Sequence, residues 1–266
     1  MKSLCLALLV AAMLTQVQAS LVTKTVSYRQ GETELRGYLA YDDSVTSDKK
    51  APGVLVFPEW WGLNDFVKGR AEALAKLGYV AFGVDMYGGG VFVSPTEHNK
   101  AQELMTAVVG KPSMGERAQA AYDQLTKTGL VDDSKVAAIG FCFGGACSQV
   151  LAYSGAQLKG IVSFHGALIP ASAEAAKKNQ AKFLILQGEL DPHVPEAARA
   201  AFLKSMDEGK FDYQFLSYSG AVHAFMNPDA DKARAAGLDG VGYDPEVAAR
   251  AWAQMQLFFK EIFGQS

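Results

Sequence analysis

An alternation of short apolar runs with longer amphipathic stretches constrains the fold more than any other feature of the sequence. The apolar runs have the composition of strands buried on both faces of a parallel sheet. Strands that alternate with helices predict a doubly wound, mostly parallel α/β fold. The predicted strands are residues 53–57, 79–84, 135–139, 160–164, 183–186 and 212–216, and the predicted helices are residues 67–77, 96–109, 115–128, 144–153, 196–208 and 245–263.

A hairpin is predicted ahead of this pattern. Residues 22–29 and 34–41 alternate apolar and polar side chains around Gln30, Gly31 and Glu32, which is typical of two antiparallel strands. No repeat or Pro/Ser-rich linker follows, so we expect one α/β domain over residues 20–266.

Composition excludes several functional classes. The 266 residues include 25 Lys and Arg against 28 Asp and Glu, a net charge of −3, and no basic run exceeds two residues. This balance argues against a nucleic-acid partner or a polybasic membrane patch. We expect a small-molecule substrate and a monomer or weak homodimer.

The first 19 residues have the features of a cleaved signal peptide. Lys2 precedes an apolar stretch over residues 4–14, and Ala19 ends a segment with small residues at the cleavage positions. Eleven apolar residues are too few to cross about 30 Å of hydrocarbon at 1.5 Å per residue. We therefore expect a secreted or periplasmic protein without a membrane anchor.

Signal cleavage leaves two cysteines, Cys142 and Cys147. On a helix that begins near Phe143, two residues five apart point in divergent directions, which opposes a disulfide between them. The sequence has no Cys/His cluster at zinc spacing, no P-loop and no dinucleotide-binding Gly motif. We expect neither a metal nor a cofactor.

Residues 140–145, Gly-Phe-Cys-Phe-Gly-Gly, lie between a predicted strand and a predicted helix. This is the G-x-nucleophile-x-G pattern of a strand–turn–helix, with Cys142 in the place where Ser is commoner. The glycines allow strand and helix to approach closely, and the helix N-terminus places partial positive charge beside the sulfur. Later loops supply an acid and a histidine in the order that this fold requires, Asp191 after one strand and His223 after the next.

These features resemble the dienelactone hydrolase family, which has the α/β-hydrolase fold. The resemblance covers roughly residues 35–263, and its anchors are segments 58–62, 85–87 and 140–145, Gly188-x-x-Asp191 and Gly220-x-x-His223-x-Phe225. It implies that Cys142 attacks an ester or lactone carbonyl, that His223 carries the proton, and that Asp191 orients the imidazole.

The resemblance also implies roles for residues near the triad. Glu59 would pair with the resting nucleophile and help to move its proton. The backbone N–H groups of Trp60 and Phe143 would form the oxyanion hole. We expect the substrate to be bound by Trp61, Tyr87 and Phe225.

Rival residues leave alternatives open. Asp85 precedes the nucleophile and fits a structural loop role, whereas Glu189 would replace Asp191 only with a different loop path. His165 and His193 are candidates for lining the substrate site rather than for the base, and His98 is expected on an exposed helix face. Two long segments, residues 88–93 and 227–243, follow strand ends and are candidates for the roof of the site.

The chain departs from the family pattern where family members that cleave dienelactone carry two arginines that grip the substrate carboxylate. Gly89 and Asn227 occupy those positions here. A neutral or apolar ester is therefore the expected substrate rather than dienelactone, unless Arg199 or Lys100 supplies a cation. The alternative function is a thiol-based redox or ligand-binding protein on the same fold.

Overall fold

The computed structural model describes residues 20–264. The expected signal peptide lies outside these residues. Within them, no helix combines the length and apolar character needed to span a membrane.

Within residues 20–264, eight strands form a single mixed sheet in the order β1-β2-β4-β3-β5-β6-β7-β8. β1 and β2 make the N-terminal antiparallel hairpin, β2 pairs antiparallel with β4, and the six strands from β3 onward run parallel. The strands are β1 Leu21–Gln30, β2 Thr33–Asp42, β3 Ala51–Phe57, β4 Val80–Gly83, β5 Val131–Phe141, β6 Gly160–Phe164, β7 Lys182–Gly188 and β8 Tyr213–Tyr218. The predicted doubly wound α/β class and the predicted hairpin are confirmed.

Helices cover both faces of the sheet. Helices α1 and α8 pack on one face, and α3, α4 and α6 pack on the other. Successive residues of a central strand alternate between these two cores: Leu55 and Phe57 face one, and Val54 and Val56 face the other. The helices are α1 Asp65–Lys76, α2 His98–Thr106, α3 Pro112–Thr126, α4 Phe143–Tyr153, α5 Ala173–Lys178, α6 Glu196–Glu208, α7 Ala230–Ala235 and α8 Pro245–Phe263.

Parallel pairing brings the chemistry-bearing loops to one edge of the sheet. The C-terminal ends of β3, β5, β6, β7 and β8 meet there, so the residues that directly follow these strands are neighbours in space although far apart in sequence.

Two short helices, α5 and α7, were not expected. Each has six residues, too few to show a helical periodicity, and α7 lies within segment 227–243, whose Asp, Ala and Gly content is typical of a loop.

The turn between β5 and α4 depends on glycine because backbone passes through the space that a side chain would fill. A Cβ atom on Gly140 would overlap the carbonyl group of Gly144, and one on Gly144 would overlap the carbonyl group of Phe57 at the end of β3. Both neighbours are backbone, so neither moves without displacing a strand or a helix.

We predict that Gly144→Ala destabilises the fold by at least about 2 kcal/mol, which lowers the melting midpoint by about 4–8 °C, because overlap with Phe57 must be relieved. The matched control is Gly69→Ala in α1, where a Cβ meets no atom of another described element within 4 Å and the helix gains about 0.5–1 kcal/mol. Thermal unfolding followed by circular dichroism measures both variants. Equal midpoints for the two would contradict the close approach at Gly144.

Candidate active site

Cys142 occupies the tip of the turn between β5 and α4. Its φ of 52° lies in the left-handed region, and it is the residue immediately before the first turn of α4. The Cys142 N–H donates to the Phe164 carbonyl at 3.1 Å, which ties the turn to the end of β6. A strained backbone angle at a non-glycine residue indicates a position held in place by its surroundings. The thiol is half-buried and the second cysteine, Cys147, is fully buried; both are free.

His223 lies on the loop after β8 and is held there by its own backbone. Its N–H donates to the Gly240 carbonyl at 3.1 Å, and its carbonyl accepts from the Gly242 N–H at 3.0 Å. Segment 227–243 therefore folds back onto the histidine, and it contributes Leu238 and Val241 to the cavity described below.

Asp191 fixes the orientation of the His223 ring. Its Oδ2 lies 2.8 Å from His223 Nδ1 and also accepts from Gln187 Nε2 at 2.7 Å, while its Oδ1 accepts from the His193 N–H at 2.9 Å. With Oδ2 as acceptor, Nδ1 carries a proton, and Nε2 is the ring nitrogen left to exchange a proton with other groups. The Asp191 side chain is fully buried, so this contact is shielded from water.

The charge balance favours protonation of His223. Burial lowers the pKa of its imidazole, but the Cys142 thiolate and the carboxylate of Asp191 act in the opposite direction through charge and hydrogen bonding. The net pKa lies above the ordinary value for histidine. A thiolate beside an imidazolium is the reactive form of a Cys–His pair.

Two more imidazoles flank His223. The ring of His193 lies 4.8 Å and the ring of His165 lies 5.2 Å from the ring of His223. Burial and the positive charge of His223 lower the pKa of both, so they stay neutral beside it. His193 lines the cavity and His165 does not.

Cys142 and His223 open onto a cavity of about 420 Å³. Helix α2 and the segment after it cover one side with Gln102, Met105 and Val109. Among residues 20–264, no Lys or Arg lines this cavity, and neither Arg199 nor Lys100 reaches it. The other lining residues are Glu59, Trp60, Trp61, Phe143, Ala146, Ala167, Ile169, His193, Val194, Ala224, Leu238 and Val241.

Tyr87 braces the two residues expected to supply the oxyanion hole. Its hydroxyl donates to the Trp60 carbonyl at 2.7 Å, and its ring stacks on Phe143 with centroids 6.1 Å apart. Trp60 and Phe143 both line the cavity, on the loop after β3 and at the start of α4. Tyr87 itself lies outside the cavity lining, behind these two residues.

Glu59 is separated from the end of β3 by Pro58 alone. It is almost completely buried, with 1% of its surface exposed. Asn227 Nδ2 donates to its Oε2. Burial raises the pKa of the Glu59 carboxyl to about 7, an effect that the Asn227 hydrogen bond and the charges of His223 and Arg70 only partly offset.

Asp85 and Glu189 are the two acidic residues that the sequence offers as alternatives to Asp191. Asp85 is buried, and its two carboxylate oxygens accept hydrogen bonds from four backbone N–H groups. These belong to Arg36, Tyr87, Gly88 and Gly90, which fits the expected structural role of Asp85 in its loop. Glu189 is exposed and accepts from Ser219 and Gly220, away from His223.

Two expectations about individual side chains differ from the structure. His98 is half-buried rather than exposed, because its ring stacks on Trp60 with centroids 6.4 Å apart. Phe225, expected to bind substrate, is fully buried against the His165 and Tyr218 rings and does not line the cavity. Of the three residues expected to bind substrate, only Trp61 lines the cavity.

Sequence reasoning missed one residue that contacts Asp191, the candidate triad acid. Gln187 is the penultimate residue of β7 and is fully buried, and its amide donates to Asp191. A polar residue within an otherwise apolar buried strand, four residues before the candidate acid, was the available signal.

The sequence and the fold are both similar to those of known proteins. Residues 35–263 match the family profile of the dienelactone hydrolase family. The chain is 38% identical to a dienelactone hydrolase-like promiscuous phosphotriesterase from metagenomic libraries, whose crystal structure superposes with a TM-score of 0.83 over 91% of this chain and 98% of that one.

Two curated relatives are more distant. The chain is 28% identical to a protein of Aquifex aeolicus provisionally named a carboxymethylenebutenolidase, over 88% of this chain and 96% of the relative. It is 34% identical to an uncharacterised protein of Caenorhabditis elegans, over 55% of this chain and 92% of that one. The chain therefore belongs to the dienelactone hydrolase family, a family of carboxylic ester and lactone hydrolases.

Proposed function

We propose that this protein hydrolyses a neutral carboxylic ester or lactone without a cofactor, using Cys142 as nucleophile, His223 as base and acid, and Asp191 as the group that orients His223. The observation that carries the proposal is the buried contact of 2.8 Å between His223 Nδ1 and Asp191, with His223 and Cys142 opening onto one apolar cavity. This arrangement matches the roles that nucleophile, base and orienting acid require.

The reaction proceeds in two halves. His223 takes the proton of the Cys142 thiol, and the thiolate attacks the carbonyl carbon; the carbonyl electron pair moves onto oxygen, where the N–H groups of Trp60 and Phe143 stabilise it. The C–O bond to the leaving group then breaks, His223 donates its proton to the departing alkoxide, and a thioester remains. Water, deprotonated by His223, attacks the thioester and releases the acid and Cys142.

Glu59 is proposed to pair with the resting nucleophile and to help move its proton. Its carboxyl shares the cavity with Cys142 and His223 and exchanges its proton near neutral pH, since burial raises its pKa to about 7. A group that titrates near the working pH is suited to proton transfer.

The cavity supports an uncharged, apolar substrate. Its walls are mainly aromatic and aliphatic, and no Lys or Arg lines it among the described residues. Burying a substrate carboxylate there would cost several kcal/mol without a partner. Neutral phosphotriesters form a second candidate class, because they also lack charge and the metagenomic relative at 38% identity is described as a promiscuous phosphotriesterase.

We predict that Cys142→Ala and His223→Ala each lower kcat/KM for p-nitrophenyl butyrate by at least about 10³, because each removes one half of the nucleophile–base pair. Cys147→Ala is the matched thiol control and retains activity within about threefold, since Cys147 is fully buried away from the cavity. Steady-state rates of purified variants test this. Equal rates in wild type and both site variants would contradict the proposal, and sulfenate formation at Cys142 without ester turnover would favour the redox alternative.

We predict that p-nitrophenyl butyrate is cleaved with a kcat/KM about 10²-fold higher than its acyl analogue ending in a carboxylate, because the apolar cavity offers that charge no Lys or Arg partner among the described residues. Gln102→Lys, which adds a cation at the cavity wall, narrows this ratio by about tenfold, whereas Gln102→Met does not. A ratio near one in the wild type would show that a cation reaches the substrate. A neutral phosphotriester in the same assay tests the second class.

A further inference from the structure

The contact between Asn227 and Glu59 joins two loops at the cavity. Glu59 lies on the loop after β3, and Asn227 lies on the loop after β8, four residues beyond His223. Both side chains are buried, Asn227 completely. Asn227 Nδ2 donates to Glu59 Oε2.

The orientation of the Asn227 amide is set by its second hydrogen bond. Its Oδ1 accepts from the Asp229 N–H at 2.9 Å, so its nitrogen must face Glu59. Glu59 Oε2 is therefore committed as an acceptor. Glu59 Oε1 is buried and has no hydrogen-bond partner among residues 20–264, which leaves it as the oxygen available to bind a proton.

Charged and titratable groups from three parts of the chain lie near enough to Glu59 to affect its pKa or to share its cavity. Arg70 on α1 acts from a distance, since its guanidinium donates to the Met226 carbonyl at 2.9 Å. His223 and Asp229 act from the loop after β8, and their effects oppose each other. The Cys142 thiol shares the cavity from the start of α4.

We propose that Asn227 is a positioning residue of the site: it holds Glu59 through Oε2 and leaves Oε1 as the atom that takes up and releases a proton in the cavity shared with Cys142. The proposal rests on the proposed function for the use of that proton in ester cleavage. The placement of the proton itself rests on the two hydrogen bonds of Asn227 and the unpartnered Oε1.

The variant Asn227→Asp has nearly the same shape as the wild type and removes only the Nδ2 donor. Asn227→Asp keeps an oxygen that accepts from the Asp229 N–H and replaces the donor with a second acceptor, so the loop contact is kept and the hold on Glu59 is lost. Asn227→Ala removes both contacts. The hydrogen bond from Asn227 lowers the pKa of Glu59, so its loss moves the Glu59 titration to higher pH.

The test is the rate of Cys142 alkylation by iodoacetamide from pH 5 to 9, followed by mass spectrometry, with buried Cys147 as the unreactive internal reference. A new negative charge on Glu59 changes the free energy of a thiolate in the same cavity, so the wild-type profile contains an inflection near pH 7. We expect Glu59→Gln to remove this inflection. Asn227→Ala and Asn227→Asp each move it upward by about one to two pH units.

The double variant Glu59→Gln/Asn227→Asp tests whether the effect of Asn227→Asp arises from misfolding rather than from the lost hydrogen bond. It exchanges the amide and the carboxylate, restores a donor–acceptor pair, and is expected to recover the melting midpoint that Asn227→Asp alone loses. Recovery supports the proposal, and a double variant no more stable than Asn227→Asp overturns it.

Alkylation needs no substrate, so the two proposals can fail separately. A shifted inflection supports the role of Asn227 even if no ester is cleaved, in which case the proposed function fails. An inflection that stays within about 0.3 pH units of wild type in both Asn227 variants, or one that persists in Glu59→Gln, overturns the role of Asn227 whatever the ester activity.

Discussion

The close approach of backbone at the turn between β5 and α4 is the constraint on which the rest of the site depends. Glycines at 140 and 144 let the strand, the helix and the end of β3 meet where no side chain would fit. Cys142 is thereby held at a φ of 52° at the tip of the turn. The parallel order of β5 to β8 then brings the Asp191 and His223 loops to the same edge of the sheet. The geometry of the site is a consequence of this packing rather than of contacts among the site residues alone.

Burial in a cavity that no Lys or Arg lines, among residues 20–264, gives the site its electrostatic character. The Asp191 side chain is fully enclosed, and hydrogen bonds from Gln187 and the His193 backbone stabilise its charge. Low local polarity strengthens each of these contacts, because water does not compete for them. The same low polarity raises the pKa of Glu59, whose partner is the neutral amide of Asn227. A cavity of this kind suits uncharged substrates and proton transfer near neutral pH.

The sequence predicts the strands, the hairpin and the long helices because their patterns are local: helices Glu196–Glu208 and Pro245–Phe263 have the predicted bounds. The convergence of Cys142, Asp191 and His223 was predictable from loop order, since parallel strands share a carboxyl edge. Pairwise contacts between side chains were not predictable, because partners such as Asn227 and Glu59 are 168 residues apart. The direction in which a side chain points was not predictable from the sequence either. Phe225, for example, lies in the core although it is two residues from His223.

The most direct test of the account is to trap the covalent intermediate. Wild-type protein is mixed with a p-nitrophenyl ester, quenched with acid during turnover and mapped by peptide mass spectrometry. The account predicts an acyl group on the Cys142 peptide, lost on treatment with hydroxylamine as a thioester requires, and no acyl group on Cys147. Turnover that continues with the Cys142 peptide unmodified and the acyl group on another residue would contradict the central claim.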